Sequence, residues 1–530
     1  MHPTDMVPSR RVTWCRLAET MFLLAAFGLF LLHFFHLRAD FPNHSPWMDW
    51  AKYTDEGWYG DAAIRYYLRG TWHLPGDFNP GAALPVWPLL EALVFRFTGV
   101  GIVAARALVA VVFGGILLCG YVLLRGIAPV EGKSVPTRLF AAAGTAMLAA
   151  SSFLYAFSRM AILEPLLVLW LLLALLVAHS IRGDRLTSRR VLRLITVGVL
   201  AALMVGTKTT AAFLLPAICY MLWNSSGWRL RVMLRDTTVA ASAGVLPAAV
   251  YLFALRRAGL LADVRYLFTA NAYTGITRDT FWSVVWKALS DGMWTGELLY
   301  PLVLLIAVAA MVRRSAWRDP VFVSLVLWIS GYLAYIAYHA NFQPRYYLVV
   351  AVPLILLLVR GSEHLVAWDG RLLYPLAPIF LFVLLWEGHS TLGYFRHPEY
   401  SFQLAAERIE NIVESEPAHS HTVLSISGSN LSLMTGLPSI CDDFGTMDLE
   451  DRIAVYKPGW FVTWNLVEDD KMEALTRFYR LKRVAAFPAM DDPDRNLMIV
   501  YRLDSRTGRK PERRKPLRPS PPREPDQISD

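Results

Sequence analysis

Apolar runs of about eighteen residues or more recur along this chain, and runs of that length read as membrane-spanning helices. "IVAARALVAVVFGGILLCGYVLL" is an example, and "PLLVLWLLLALLVAHS" is a somewhat shorter one. No water reaches the bilayer core to satisfy backbone groups, so helices are the natural spanning element. Of the 530 residues, 55% are hydrophobic and only 18% charged, against roughly 25% charged in soluble domains. The expected fold is therefore an α-helical polytopic membrane protein. A net charge of +9 invites a nucleic-acid reading, which fails: the basic residues cluster in short loops between apolar runs, as membrane topology requires.

The first span is expected at about 21–37, with Arg10, Arg11 and Arg16 holding its N-terminal flank in the cytoplasm. No small-residue cleavage site follows, so this helix is read as uncleaved. Further spans are expected at about 100–124, 138–157, 165–181, 194–207, 209–224, 237–255, 299–312, 319–338, 346–359 and 373–392. That makes about eleven transmembrane helices. Residues 84–99 carry Glu91 and Arg96. Charges at mid-bilayer are costly, and residues five apart do not meet on a helix. This segment is therefore read as juxtamembrane, which leaves Arg125, Lys133 and Arg138 inside. The arginine-rich loops "IRGDRLTSRRVLR", "RLRVMLRD", "VRRSAWRD" and "RGSEHLVAWDGR" then also fall inside. Arg256 and Arg257 fall outside, an exception to the rule.

The transmembrane domain is read as residues 1–395, with outer loops at about 38–99 and 256–298. An odd number of spans places the remainder outside. Within 396–504, "HTVLSISGS", "GWFVTWN" and "LMIVYRL" read as strands, and "SFQLAAERIENIVES" and "DDKMEALTRFYRL" as amphipathic helices. This predicts a small extracytoplasmic α/β domain, a lid or acceptor platform. Residues 505–530 are rich in Pro and Arg and read as a disordered tail. The four cysteines, Cys15, Cys119, Cys219 and Cys441, have no metal-ligand spacing and suggest neither a zinc site nor a disulfide framework.

Chemistry-bearing residues from distant parts of the chain converge on the outer side. Asp55 and Glu56 lie in "KYTDEGWYGDAAIRYY" and Glu164 in "SRMAILEP". Lys208 lies in "GTKTT", Arg265 and Arg278 in the second outer loop, and His339, Gln343 and Arg345 in "YHANFQPRYY". Charges at a membrane segment are functional candidates because holding them there costs free energy. A sugar on a polyprenyl phosphate would use such a set. A carboxylate takes the proton of the acceptor hydroxyl, fixed cations stabilise the departing phosphate, and aromatic walls such as Trp58, Tyr59 and Tyr346 hold the sugar and limit water. No motif calls for a cofactor, and a divalent cation is compatible with the site.

Each residue also has a structural reading. Asp55 suits the first turn of a helix capped by Thr54, Asp61 and Arg65 suit an i,i+4 ion pair, and Glu164 with Pro165 suits a helix start. Lys208, Arg265 and Arg278 can snorkel to lipid headgroups. His339 and the tryptophans can be interface residues. "GTKTT" lacks the upstream glycines of a P-loop.

The chain resembles the GT-C superfamily of polytopic glycosyltransferases, in particular the protein O-mannosyltransferase and aminoarabinose-transferase branch with its rhizobial galacturonosyltransferase-like members. The resemblance rests on "DEGWYGDAAIRYYLRGTW" with "FNPGAALPVWPLLEALVFRFTGVGIVAARAL", and on "SRMAILEPLLVLWLLLAL", "GTKTTAAFLLPA" and "QPRYYLVVAVPL". It implies a bacterial inner-membrane enzyme with a polyprenyl-phosphate-linked sugar donor, an extracytoplasmic active site and inversion at the anomeric carbon. It implies that Asp55 is the general base, that Glu56 contacts acceptor or metal, and that Glu164 is a second loop carboxylate where many relatives have Asp. It places Arg345 and Lys208 at the donor phosphate. Relatives often carry a Lys-Pro-Pro-Leu element where this chain has "NPGAALPVWPLL". The missing lysine means that the phosphate is bound by other cations or that the donor differs, and it counts against aminoarabinose as the sugar. The acceptor stays open among lipid, glycan and protein. A transporter or flippase of a lipid-linked saccharide would use the same cations without a base, and a non-catalytic scaffold would need neither.

Overall fold

The computed structural model describes residues 7–126, 137–269, 295–339, 343–465 and 469–506, with residues 282, 286 and 290 between them. Lys133, Arg278 and all but the first two residues of the 505–530 tail lie outside the described residues, as does most of the later part of the second expected outer loop.

A long first helix, α1 (Val7–Leu31), leads into two shorter ones, α2 (Asp55–Arg69) and α3 (Val86–Thr98). Then follow α4 (Ile102–Arg125), α5 (Thr137–Ala150), α6 (Ser152–Phe157), α7 (Glu164–Ser180), α8 (Ser188–Thr207), α9 (Leu215–Ser225), α10 (Leu230–Arg257) and α11 (Leu261–Thr269). The membrane part closes with α12 (Leu299–Met311), α13 (Arg314–Trp317), α14 (Pro320–Tyr338), α15 (Leu348–Trp368) and α16 (Leu373–Arg396). Seven helices among the described residues are long and apolar enough to cross a membrane, and α5, α7 and α12 are shorter apolar helices. The chain is an integral membrane protein.

Every expected span meets helix, though not always a single α-helix: α1 stops at Leu31 and a 3₁₀ turn, Leu32–Phe34, follows it. The 138–157 run divides at Ser151, whose hydroxyl accepts from the Leu154 amide at 3.3 Å and starts α6. The 209–224 run opens as a 3₁₀ turn, Thr209–Leu214, and becomes α-helical only where Pro216 sits in the first turn of α9, a position that needs no amide donor. Segment 84–99 forms the 13-residue α3. At 1.5 Å per residue that is about 20 Å, short of the roughly 30 Å bilayer core. Glu91 is buried toward α2, where a side chain at Gly60 would collide with its carboxylate, while Arg96 is exposed.

The apolar windows of α1 and α10 are only 11% buried, whereas that of α15 is buried along its whole length. The bundle is thus built around α15, packed by α5, α12 and α14. Helices α8 and α10 cross closely because Gly198 leaves room: a Cβ there would lie 1.9 Å from the Ala240 carbonyl oxygen. At the end away from α2, Arg360 of α15 bridges Asp319 and Glu363, and Arg190 pairs with Asp236, all buried.

The C-terminal region carries α17 (Ser401–Glu414), α18 (Gly428–Thr435), α19 (Leu449–Tyr456) and α20 (Asp469–Phe478). With them lie β1 (Val423–Leu424), β2 (Ser439–Ile440), β3 (Trp460–Thr463), β4 (Tyr479–Pro488) and β5 (Leu497–Ser505). The sheet order is β2-β1-β3-β5-β4, parallel through β2-β1-β3 and antiparallel through β3-β5-β4. The three expected strands are present. The expected helix "DDKMEALTRFYRL" stops at Phe478, and its last residues begin β4. Arg480, Lys482 and Arg483 on this edge strand imitate a solvated helix face, while charge there guards the sheet edge.

Candidate active site

The local sequence sends the two adjacent acids opposite ways. Asp55 and Glu56 are the first residues of α2, where acids suit the positive end of the helix dipole. Neighbours on a helix point about 100° apart and do not share a face. Glu56 turns inward. Arg106 of α4 forks onto it, Nε to Oε1 at 2.8 Å and Nη2 to Oε2 at 2.6 Å, and the Ala161 amide donates at 2.8 Å. Arg106 also donates to the Leu37 and Ala39 carbonyls. The expected contact of Glu56 with acceptor or metal is therefore not what its surroundings offer: both oxygens are engaged and away from the cleft. Thr54 does not cap α2 as expected. Its hydroxyl donates instead to Asp55 Oδ1 at 2.9 Å.

Asp55 faces a cleft of about 960 Å³, open solvent at its mouth included. Arg345, in the 3₁₀ turn Pro344–Tyr347, places Nη2 2.8 Å from Asp55 Oδ2. Asp49 anchors that guanidinium through Nη1 at 2.5 Å and accepts the Arg345 backbone amide at 2.8 Å. Burial pushes the Asp49 carboxyl up, and Arg345 opposes the shift.

Lys208 lies where α8 ends, with extended backbone (φ −153°, ψ 124°). Its ammonium donates to Glu164 Oε1 at 2.5 Å and sits 4.1 Å above the Tyr346 ring. Glu164 is the first residue of α7, fully buried behind the lysine, and its Oε1 is also 4.0 Å from Arg345 Nε. Tyr346 thus lies under both cations, with the Arg345 guanidinium 5.0 Å from its ring. His339 stacks on Tyr346 with centroids 5.5 Å apart. Burial, then Lys208 and Arg345, push the His339 imidazole down to about 4, so it is neutral near pH 7.

Trp58 and Tyr59 also line the cleft. Burial, then the Asp55 charge, hold the Tyr59 phenol well above its usual range. Gln343 does not face the cleft. Its side-chain oxygen accepts from the Trp50 amide at 3.1 Å and braces Trp50, which does. Arg265 is exposed on α11 and absent from the cleft wall, which Leu267 and Phe268 join instead. Arg278 is outside the described residues. The expected pair of Asp61 and Arg65 forms at 2.8 Å.

Asp49, Arg106 and Tyr335, the last of which lines the cleft, are site or support residues that the sequence reading passed over. Arg106 had a usable signal: a single arginine within a long apolar run demands a buried partner. Among the described residues no three His, Cys, Asp or Glu side chains gather as metal ligands. The carboxylates near the cleft are held by Arg345, Lys208 and Arg106, so this donor set does not fit a metal ion.

The C-terminal domain closes one side. Trp58 Nε1 donates to the Ile426 carbonyl at 3.1 Å, and Ile426 and Phe444 line the cleft. A side chain at Gly57 would put Cβ 2.2 Å from the Asn430 amide nitrogen, so α2 and α18 touch backbone to backbone.

No protein-family model and no curated protein matches this sequence. Solved structures do. ArnT from Cupriavidus metallidurans bound to undecaprenyl phosphate is 13% identical, with a TM-score of 0.56 over 91% of this chain and 97% of that one. Its apo state is 14% identical, with a TM-score of 0.55 over 93% and 98%. The archaeal oligosaccharyltransferase AglB from Archaeoglobus fulgidus, in complex with an inhibitory peptide and a dolichol-phosphate, is 12% identical, with a TM-score of 0.51 over 92% and 74%. The chain shares the fold of these structures, its apolar bundle and C-terminal α/β domain lining a common cleft.

Proposed function

We propose that this protein transfers a sugar from a polyprenyl-phosphate donor to an acceptor outside the cytoplasm, with Asp55 as general base. The observation that carries the reading is the cleft itself: a carboxylate, a guanidinium and an ammonium from three separate segments meet there, at the end of an apolar bundle. The neighbours' bound undecaprenyl phosphate and dolichol-phosphate support a lipid-linked donor.

In this reading the acceptor oxygen attacks the anomeric carbon while its proton passes to Asp55. The bond from the anomeric carbon to the phosphate oxygen breaks, and polyprenyl phosphate leaves with the electron pair. Arg345 and Lys208 stabilise that charge. An ammonium has three donors, and Lys208 gives one to Glu164, which leaves donors for the phosphate. Asp49 and Glu164 hold the two cations in place. His339, neutral, supplies a ring face rather than charge. The cations make a metal unnecessary to the scheme. The C-terminal domain faces outward and the N-terminus lies in the cytoplasm.

One displacement with one base inverts the anomeric centre. Purified protein is given a polyprenyl-phosphate sugar labelled at the anomeric carbon together with a cell-envelope acceptor extract, and the product is examined by NMR. Inverted configuration is expected. Retention would require a covalent sugar intermediate and would overturn this scheme.

A further inference from the structure

We infer that the acceptor is a carbohydrate ring seated on Trp58, Phe78 and Phe444, so that the C-terminal domain supplies one wall of the acceptor subsite. The inference rests on the transferase reading above. The cleft has two unlike walls. One carries Asp55, Lys208 and Arg345. The other is a cluster of three rings: Trp58 to Phe78 at 5.1 Å, Trp58 to Phe444 at 5.2 Å, and Phe78 to Phe444 at 5.3 Å between centroids. Asp55 and Trp58 stand three residues apart on α2 and share a face, so a hydroxyl held at Asp55 brings its own ring over the aromatic cluster. A pyranose has apolar C–H faces and a polar rim, which suits an aromatic wall beside a carboxylate.

A polypeptide acceptor is less well served. Extended peptides are gripped through backbone hydrogen bonds, commonly at a sheet edge. The edge strands here, β2 and β4, do not reach the cleft. The Ile426 carbonyl is already taken by Trp58. Among the described residues, the C-terminal domain offers this wall only Ile426 and Phe444.

The wall is fixed in place. Asp77 is fully buried between the two parts: Arg65 Nη2 of α2 donates to Oδ2 at 2.5 Å, and the Cys441 amide donates to Oδ1 at 3.0 Å. Arg452 Nη1 donates to the Cys441 and Phe444 carbonyls. Asp77 and Arg452 are positioning residues that hold Phe444 against Trp58.

The ring could come from a glycolipid headgroup or from a lipid-free glycan. Full-length protein in nanodiscs is given a labelled polyprenyl-phosphate sugar pool and three acceptor fractions from one cell envelope: glycolipid, glycan freed of its lipid, and protein. Label is expected in a glycan-bearing fraction. Labelling of glycolipid alone marks a lipid-anchored acceptor, and labelling of both shows that the ring suffices. Phe444→Ala is expected to raise the half-saturating acceptor concentration about tenfold or more, with undecaprenyl phosphate binding within about twofold of wild type. Phe444→Trp restores most of the loss. Phe444→Leu, which keeps apolar volume without a ring, shifts the same way and serves if the alanine variant does not fold. Label in the protein fraction overturns the inference, as does unchanged acceptor dependence in Phe444→Ala and Phe444→Leu while Asp55→Asn is inactive. Wild type that labels no fraction overturns the transferase reading itself, and the subsite with it.

Discussion

Asp55 and Glu56 have the same chemistry one position apart, and the helix gives them opposite fates. Asp55 reaches the cleft beside Arg345, while Glu56 neutralises Arg106 in the interior. Removing one partner of a buried pair costs about 3–5 kcal/mol because the other charge is stranded. Glu56→Gln is therefore expected to lower the thermal midpoint in detergent sharply, and Glu56→Gln with Arg106→Met to recover much of it. Equal thermal midpoints for wild type and Glu56→Gln would contradict the pairing. At His339 the sign is also fixed. Its folded value of about 4 lies below the unfolded 6.5, so between these pH values the unfolded chain binds the extra proton. Stability from this residue is full above about pH 6.5 and is lost as pH falls toward about 4. Comparing melting at about pH 5 and about pH 7.5, His339→Gln should be less acid-sensitive than wild type. At this scale the motif around Asp55 was legible in the sequence. Asp49 was not, because a distant ion pair leaves no local pattern; Arg106 stood out as an arginine in an apolar run, but nothing nearby named Glu56 as its partner.

Among the elements, α2 carries the account. It presents Asp55 and Trp58 to the cleft, Glu56 to α4, and Gly57 to α18. Gly57→Ala would push a methyl group into the α18 backbone, and overpacking of this kind costs about 1–3 kcal/mol. The expected result is easier proteolysis of the C-terminal domain in the variant. An unchanged digestion pattern would argue against the close approach. The spans were legible because an apolar run is a one-dimensional signal that the bilayer enforces. Strand β4 was not, because its register depends on pairing with β5 rather than on its own period. Breaks at Ser151 and Pro216 were visible as cap and turn residues but were outweighed by the apolar runs around them.

For the whole molecule, the arginine-rich loops and the odd number of expected spans set the proposed topology. Single cysteines at Lys457 and at Arg185, in a background without the native cysteines, test it. The first is expected to react with an impermeant maleimide in intact cells or spheroplasts, and the second only after the membrane is opened. The reverse pattern would invert the protein and move the cleft to the cytoplasm. Integration of the C-terminal domain with the site was only half legible. A lid or acceptor platform was the expectation for this domain, but the contacts of Asp77 with the Cys441 amide and of Phe444 with the cleft arise between distant parts of the chain.

The most direct test of the central claim is sugar transfer in membranes from a strain lacking this protein, supplied with a labelled polyprenyl-phosphate sugar pool. Wild type, Asp55→Asn and Glu164→Gln are added back at matched amounts. Wild type should move label to a new product. Asp55→Asn should lose about 10²–10⁴-fold in turnover while still binding undecaprenyl phosphate. Glu164→Gln should lose less, since Glu164 acts through Lys208. Normal transfer by Asp55→Asn would contradict the assignment of the base. Relocation of labelled lipid between leaflets with no transfer by any of the three would replace the enzyme with a flippase.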